Sequence, residues 1–321
     1  MISRVADHCF WLGRYLERAE HTARVLHVTT TLALDAELPS REAWGPIIIV
    51  FGEREAFGKK HGGAAWGDGE IVQAYMTWDE ENFSSLTRSI GAARENARSI
   101  REVVSLEVWE ITNELYLYVT GDEGRRDYDD NRWTFYRNVR KLSELALGFT
   151  QSTMLHEAPL DFIWLGVELE RAGQTARNLD VHHHAFTTLP NKHEVVETAL
   201  WLSLLRACSG FEPFMKRHRG AVTGRAVASF LLHEPTFPRS VRHAVEEAYQ
   251  RLASIRPPAE HQLPGGRALE RIAMLSAYLA EESPPMLADE RVHDIVTHVV
   301  DETAVICTEL GREMFGYGAR G

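Results

Sequence analysis

Apolar positions in residues 11–28, WLGRYLERAEHTARVLHV, recur at helical spacing. Trp11, Leu12, Tyr15, Leu16, Ala19, Ala23 and Leu26 share one arc of a 3.6-residue wheel. The arc predicts an amphipathic helix over about residues 4–34, packed against a core. The same pattern returns at residues 164–181, WLGVELERAGQTARNLDV, in register and without a gap. The two segments agree at Trp, Leu, Gly, Leu, Glu, Arg, Ala, Thr, Ala, Arg, Leu and Val, where chance gives about one match, so the chain reads as an internal duplication. Two further pairs of stretches keep the same order. Residues 44–63 agree with 201–220 at Trp44/Trp201, Glu55/Glu212, Phe57/Phe214, Lys59/Lys216, His61/His218 and Gly63/Gly220. The segments beginning at residues 71 and 226 share an apolar helix, a short acidic break, and Ser85 or Ser240 opening the next helix.

The polar side of the repeat helix carries the distinctive chemistry. Gly13, Glu17 and Arg24 lie nearly in line, with Arg18 and Thr22 beside them, and the second copy keeps Gly166, Glu170, Arg177, Arg171 and Thr175. A glycine inside a helix costs roughly 1 kcal/mol against alanine, so a pair of them predicts that another backbone comes close on that side. Charges caught between packed helices must pair. The simplest arrangement is reciprocal, with Glu17 meeting an arginine of the other copy and Glu170 returning the contact. The same charges are candidates for a ligand site.

A long helix is predicted over residues 84–119, with Ile90, Ala93, Ala97, Ile100, Val104, Val108, Ile111 and Leu115 as its core arc. Beside that arc runs a polar one of Arg94, Arg98, Arg101, Glu102, Ser105, Trp109 and Asn113. Intrahelical pairs such as Arg98 with Glu102 make it a solvated face. Alternatively, its arginines form a carboxylate or anion site, a reading that Trp109 and Asn113 favour. The run Ile47, Ile48, Ile49, Val50 has strand propensity, but its partner in the second copy reads as helix, and helix is assigned to both. Residues 61–69, HGGAAWGDG, and 121–132, GDEGRRDYDDNR, read as loops. Helices are expected over residues 133–155, from Gly266, and over 289–314.

Composition narrows the class. The 321 residues are 44% hydrophobic, enough for a large core, and a net charge of −11 argues against a nucleic-acid binder. Three cysteines without paired spacing, no signal-peptide pattern and no apolar run near 20 residues point to the cytoplasm rather than a membrane. No metal or cofactor is expected. His182, His183 and His184 point about 100° apart on a helix, and Glu290-x-x-His293 lacks the second such pair that a di-iron site needs.

Taken together, WLGRYLERAEHTAR, ARENARSIREVVSLEVWEITNELY and FPRSV make the sequence resemble the alpha-E family over essentially its whole length. This is a bacterial all-helical family named for a Glu-Arg motif, which Glu17-Arg18 and Glu170-Arg171 match. The resemblance implies a cytoplasmic protein whose relatives are encoded beside, or fused with, circularly permuted ATP-grasp proteins and transglutaminase-like peptidases. The expectation is an all-α tandem duplicated helical bundle, with pseudo-twofold-related halves at residues 1–150 and 151–321. Its expected role is a non-catalytic binding or scaffold subunit of an ATP-grasp amide or peptide ligase system, taking a peptide or carboxylate and neither nucleic acid nor membrane. The alternatives are an enzyme component that uses the Glu/Arg cluster and a purely structural helical repeat protein. Lowered carboxylate pKa values beside arginines weigh against acid–base catalysis. Candidate ligand residues are Glu17, Arg18, Arg24, Arg94, Arg98, Arg101, Glu102, Trp109, Asn113, Glu170, Arg171 and Arg177.

Overall fold

A computed structural model describes residues 3–35, 39–188, 194–260, 262–281 and 289–317, and every regular element among them is helical. In the first half of the chain the helices are α1 (Ser3–Asp35), α2 (Ser40–Val50), α3 (Arg54–His61), α4 (Gly69–Trp78), α5 (Leu86–Ser99), α6 (Leu106–Thr120), α7 (Asp122–Asp130) and α8 (Arg132–Thr153). The second half comprises α9 (Ala158–Thr188), α10 (Glu194–Ala207), α11 (Phe211–Arg217), α12 (Gly224–His233), α13 (Val241–Ile255), α14 (Gly266–Glu281) and α15 (Asp289–Glu313). α1 and α9 are the longest and lie side by side. α5 and α8 flank α1, and α13 and α15 flank α9.

Glycine sets the distance between the central pair. A Cβ on Gly13 would collide with the carbonyl of Ile163, and one on Gly166 with the carbonyl of Phe10. Each helix therefore presents bare backbone where the other's carbonyl passes. Of the apolar arc read from the sequence, Leu12, Leu16, Ala19, Ala23 and Leu26 are fully inaccessible, while Trp11 and Tyr15 are partly buried at its edge. Ser85 and Ser240 both act as N-caps, accepting from the amides of Arg88 and His243, while their hydroxyls donate back to the carbonyls of Asp79 and Glu234.

Three expectations are corrected. Residues 84–119 are not one helix: the chain leaves helical geometry at Ile100, where φ is −128°, and restarts at α6 with Ser105 accepting from the Val108 amide. All eight residues of the predicted core arc are nevertheless buried, because the turn folds α6 back onto the same core. Residues 122–130 form α7 rather than a loop. Asp122 and Glu123 occupy its first turn, where carboxylates suit the helix dipole. Gly124 presses on the Tyr118 carbonyl, Tyr128 is buried, and Arg125 lies 3.7 Å over the Trp78 ring. Residues 63–67 form a 3-10 turn that buries Ala65, and Gly69 sits against the Trp44 indole. The 47–50 run is helical within α2.

Gly13→Ala forces a methyl into the Ile163 carbonyl and is expected to destabilise the protein by about 3 kcal/mol, the scale of core overpacking. Gly148→Ala on exposed α8, where nothing lies near the added methyl, is expected to stabilise it by about 0.5–1 kcal/mol. Urea denaturation of the two variants reads the contrast, and equal effects would remove the close-approach account.

Candidate functional site

The backbone approach at Gly13 and Gly166 places the next turn of each helix against the other, and there the charges cross over. Arg18 Nε donates to Glu170 Oε1 at 2.7 Å, and Arg171 Nε donates to Glu17 Oε2 at 3.0 Å. This is the reciprocal exchange expected from the sequence. Arg14 joins Arg18 on Glu170, and Gln174 donates to the same carboxylate at 3.0 Å. Glu17 is also bound by Arg239, which turns a second nitrogen to Glu20 at 3.0 Å. Arg24 pairs with Glu20 one turn away at 2.7 Å, and Arg140 approaches Glu20 at 3.4 Å. Glu17 and Glu20 are wholly inaccessible, and Glu170 and Arg24 are nearly so.

Burial alone would raise the pKa values of Glu170 and Glu20. The arginines outweigh it, with Arg14 and Arg18 holding Glu170, and Arg239, Arg24 and Arg140 holding Glu20, well below the usual carboxylate range. His21 lies within the same cluster. Arg24 Nη2 lies 2.9 Å from its Nδ1, and the Asn178 side-chain amide lies 3.0 Å from its Nε2. Burial, then Arg24, keeps it neutral by pushing its pKa well down. Glu168 behaves oppositely. Arg171 pairs with it at 2.9 Å, yet burial and the neighbouring Glu17 carboxylate prevail and raise its pKa to about 7. One of its oxygens has no hydrogen-bond partner.

The second candidate face is assembled across the α5–α6 turn rather than along one helix. Arg94 Nε donates to Asn113 Oδ1 at 2.8 Å, and its guanidinium lies 4.6 Å from the Tyr116 ring and 5.8 Å from Trp109. Arg101 covers Trp109 at 4.9 Å. Arg98 pairs with Glu95, not with Glu102, and Glu102 is exposed. Trp109 and Asn113 open onto a surface cavity of about 490 Å³ between α6 and α8, lined also by Glu110, Glu114, Leu117 and Lys141. No member of the Glu–Arg cluster lines it. The two sets of candidates therefore belong to separate places: a packed seam, and an α5–α6 face of which Trp109 and Asn113 line an open groove.

The histidine run lies inside α9 rather than at its end. His182 Nδ1 is 2.9 Å from the Asn178 carbonyl, the His183 ring lies tilted 5.7 Å from Trp201, and His184 is exposed. His293 is held 2.7 Å from Asp180; the Glu290 side chain lies outside the described residues. Among the described residues no cluster of three or more His, Cys, Asp or Glu side chains is arranged to hold a metal ion, and no helix is long and apolar enough to cross a membrane. Sequence reasoning missed Glu20, Arg239, Arg140, Arg14 and Glu168. Glu20 has a glycine at the matching place of the second repeat, and Arg239 lies in the FPRSV stretch beside the capping Ser240.

An all-helical chain whose two longest helices exchange glutamate and arginine across a glycine contact defines a class of helical domain built on paired Glu-Arg dipeptides. The chain belongs to the Alpha-E family, described as a predicted alpha-helical domain with a conserved ER motif, which it matches over residues 1–315. Uncharacterized proteins of Mycobacterium bovis and Mycobacterium tuberculosis are 22% identical to it over 258 residues, covering 76% of this chain and 29% of theirs. The chain thus spans under a third of the length of the curated relatives it matches. No solved structure matches it.

Glu168 supplies a pH signature. Its folded pKa, about 7, lies above the ordinary 4.5, so the folded state binds the extra proton between those values. Stability from this group is therefore full below about pH 4.5 and is lost as pH rises to about 7. Glu168→Gln is expected to flatten that loss, making the variant more stable than the native chain at pH 8 by on the order of 1–2 kcal/mol and near equal at low pH. Urea titrations at both pH values check it; a gap that does not grow with pH removes the assignment.

Proposed function

We propose that the protein is a non-catalytic cytoplasmic binding or scaffold subunit, built from a duplicated helical unit, that works with an ATP-grasp amide or peptide ligase. The observation that carries the reading is the state of the Glu-Arg motif. Both of its carboxylates are buried and multiply paired with arginines. A carboxylate engaged in this way is a poor proton acceptor and has no access to substrate, which counts against the enzyme alternative.

The duplication is supported by paired features at one offset in the chain. Gly13 and Gly166 make the same backbone contact in opposite senses, and Glu17 and Glu170 receive arginines from opposite helices. The α6–α8 groove, with Trp109 and Asn113 fixed by Arg94 and Arg101 and with Leu117 57% exposed, is the surface assigned to the ligase. The relatives lend support, since they carry the matching region within much longer chains.

Co-expression with a circularly permuted ATP-grasp protein of the same genome is expected to yield a complex on size exclusion. Leu117→Asp or Arg94→Ala should weaken that complex at least about tenfold, with the melting temperature little changed. Absence of any complex would sink the partnership. Turnover of ATP or peptide by the purified protein alone would sink the non-catalytic reading.

A further inference from the structure

Arg24 and Arg177 stand at matching positions of the two sequence repeats, yet only one of them is supplied with a counter-charge. Around Arg24, Nη1 donates to both oxygens of Glu20, at 2.9 and 2.7 Å, and to Ser209 Oγ at 3.1 Å, while Nε donates to the Ala207 carbonyl at 2.7 Å. Ser209 is the one non-glycine residue with positive φ, 53°, among the described residues. That backbone costs about 1 kcal/mol or more. Its hydroxyl is thereby fixed beside Arg24.

At the position matching Glu20 stands Gly173, and at the position matching Ser209 stands Gly52, which has the same left-handed backbone, φ 74°. Both side chains that satisfy Arg24 are therefore absent from the matching positions of the sequence. No hydrogen bond or ion pair of Arg177 is present among the described residues. A Cβ added at Gly173 would stand 3.3 Å from Arg177 Nη2 and 3.5 Å from Thr303 Oγ1.

The nearest carboxylate, Glu170, is already engaged by Arg14, Arg18 and Gln174. Burial depresses the pKa of Arg177, and repulsion from Arg18 and Arg14 adds to it despite the attraction of Glu170. The Arg177 side chain is only partly buried, and none of its nitrogens is among the buried polar atoms without a partner, so solvent reaches the guanidinium. The other polar groups close by are few. Arg14 Nη1 lies 3.4 Å from Cys307 Sγ, and the Thr303 hydroxyl is taken up by the Val300 carbonyl. The Arg14 and Arg18 side chains remain 15% and 16% exposed, so the cluster reaches solvent.

We propose that Arg177, with Arg14 and Arg18 beside it, binds the carboxylate of an external ligand, which takes the place beside Arg177 that the Glu20 carboxylate holds beside Arg24. The planar, two-oxygen head of a carboxylate matches what Arg24 already grips. The ligand is either a small free acid or the C-terminus of a peptide. The site operates without a ligase partner, so its failure and that of the ligase reading are distinguishable.

The test titrates the full chain with acetate, with N-acetylglycylglycine and with its C-terminal amide at constant ionic strength, by calorimetry and by thermal melting. The two acids are expected to bind and to raise the melting temperature saturably, and the amide to do neither. Gly173→Glu supplies the missing anion within the chain. It is expected to melt higher than the native protein and to lose the response to acids.

Arg177→Gln is expected to weaken acid binding at least about tenfold, and it decides the matter alone if Gly173→Glu does not fold. The dipeptide acid binding about tenfold tighter than acetate identifies a peptide terminus, and equal affinities identify a small free acid; both uphold the site. The proposal is overturned if neither acid binds, if the amide binds as well as the acid, or if Arg177→Gln binds the acids unchanged.

Discussion

The structure rests on the burial of ions between two helices that touch through glycine. Gly13 and Gly166 let the backbones meet, and that approach carries Glu17 and Glu170 out of water one turn later, with Arg18 and Arg171 reaching them from the partly exposed edge. Taking an ion pair out of water seldom adds net stability, because desolvation offsets the Coulomb gain. It does dictate what may dock. Glu170 is satisfied by Arg14 and Arg18 of α1, and Glu17 by Arg171 and Arg239 from the later part of the chain. Neither acid is paired by its own helix. Each part of the chain would bury an unpaired carboxylate without the other, so the seam selects one partner and one register.

The repeat made the seam legible in the sequence, because a glycine and a charge pair retained twice need a common physical cause. The core arc through Ile90, Val104 and Leu115 was equally legible. The break at Ile100 was not, since the same apolar spacing serves one long helix or two folded over a turn, and only the capping Ser105 distinguishes them. α7 escaped notice because its packing depends on one glycine, one tyrosine and a cation over Trp78 rather than on an apolar stripe. Comparing the copies also conceals what is unique to one. Glu20 pairs with three arginines, and its glycine counterpart hid it.

The arginines of α5 illustrate how little a charge on a helical wheel says about its task. Arg98, paired with Glu95, and the exposed Glu102 are ordinary surface, where ion pairs contribute a few tenths of a kcal/mol. Arg94 and Arg101 lie against aromatic rings, and Arg94 also fixes the Asn113 amide. Their guanidiniums stiffen the end of the α6–α8 groove. A groove whose walls are already ordered loses less entropy on binding than a mobile one.

Differences between the two matching stretches of sequence separate what the helix contact requires from what is free to change. Around Arg24 the chain supplies an acid, a strained serine and a carbonyl, and the neutral His21 completes the set. That arrangement is closed, and a ligand has nothing to offer it. At the matching positions of the sequence, 173 and 52, stand glycines, which carry no side chain and suit the helix path and the left-handed turn. Arg24 is thus held within the seam by its own chain, whereas Arg177 makes no hydrogen bond or ion pair among the described residues.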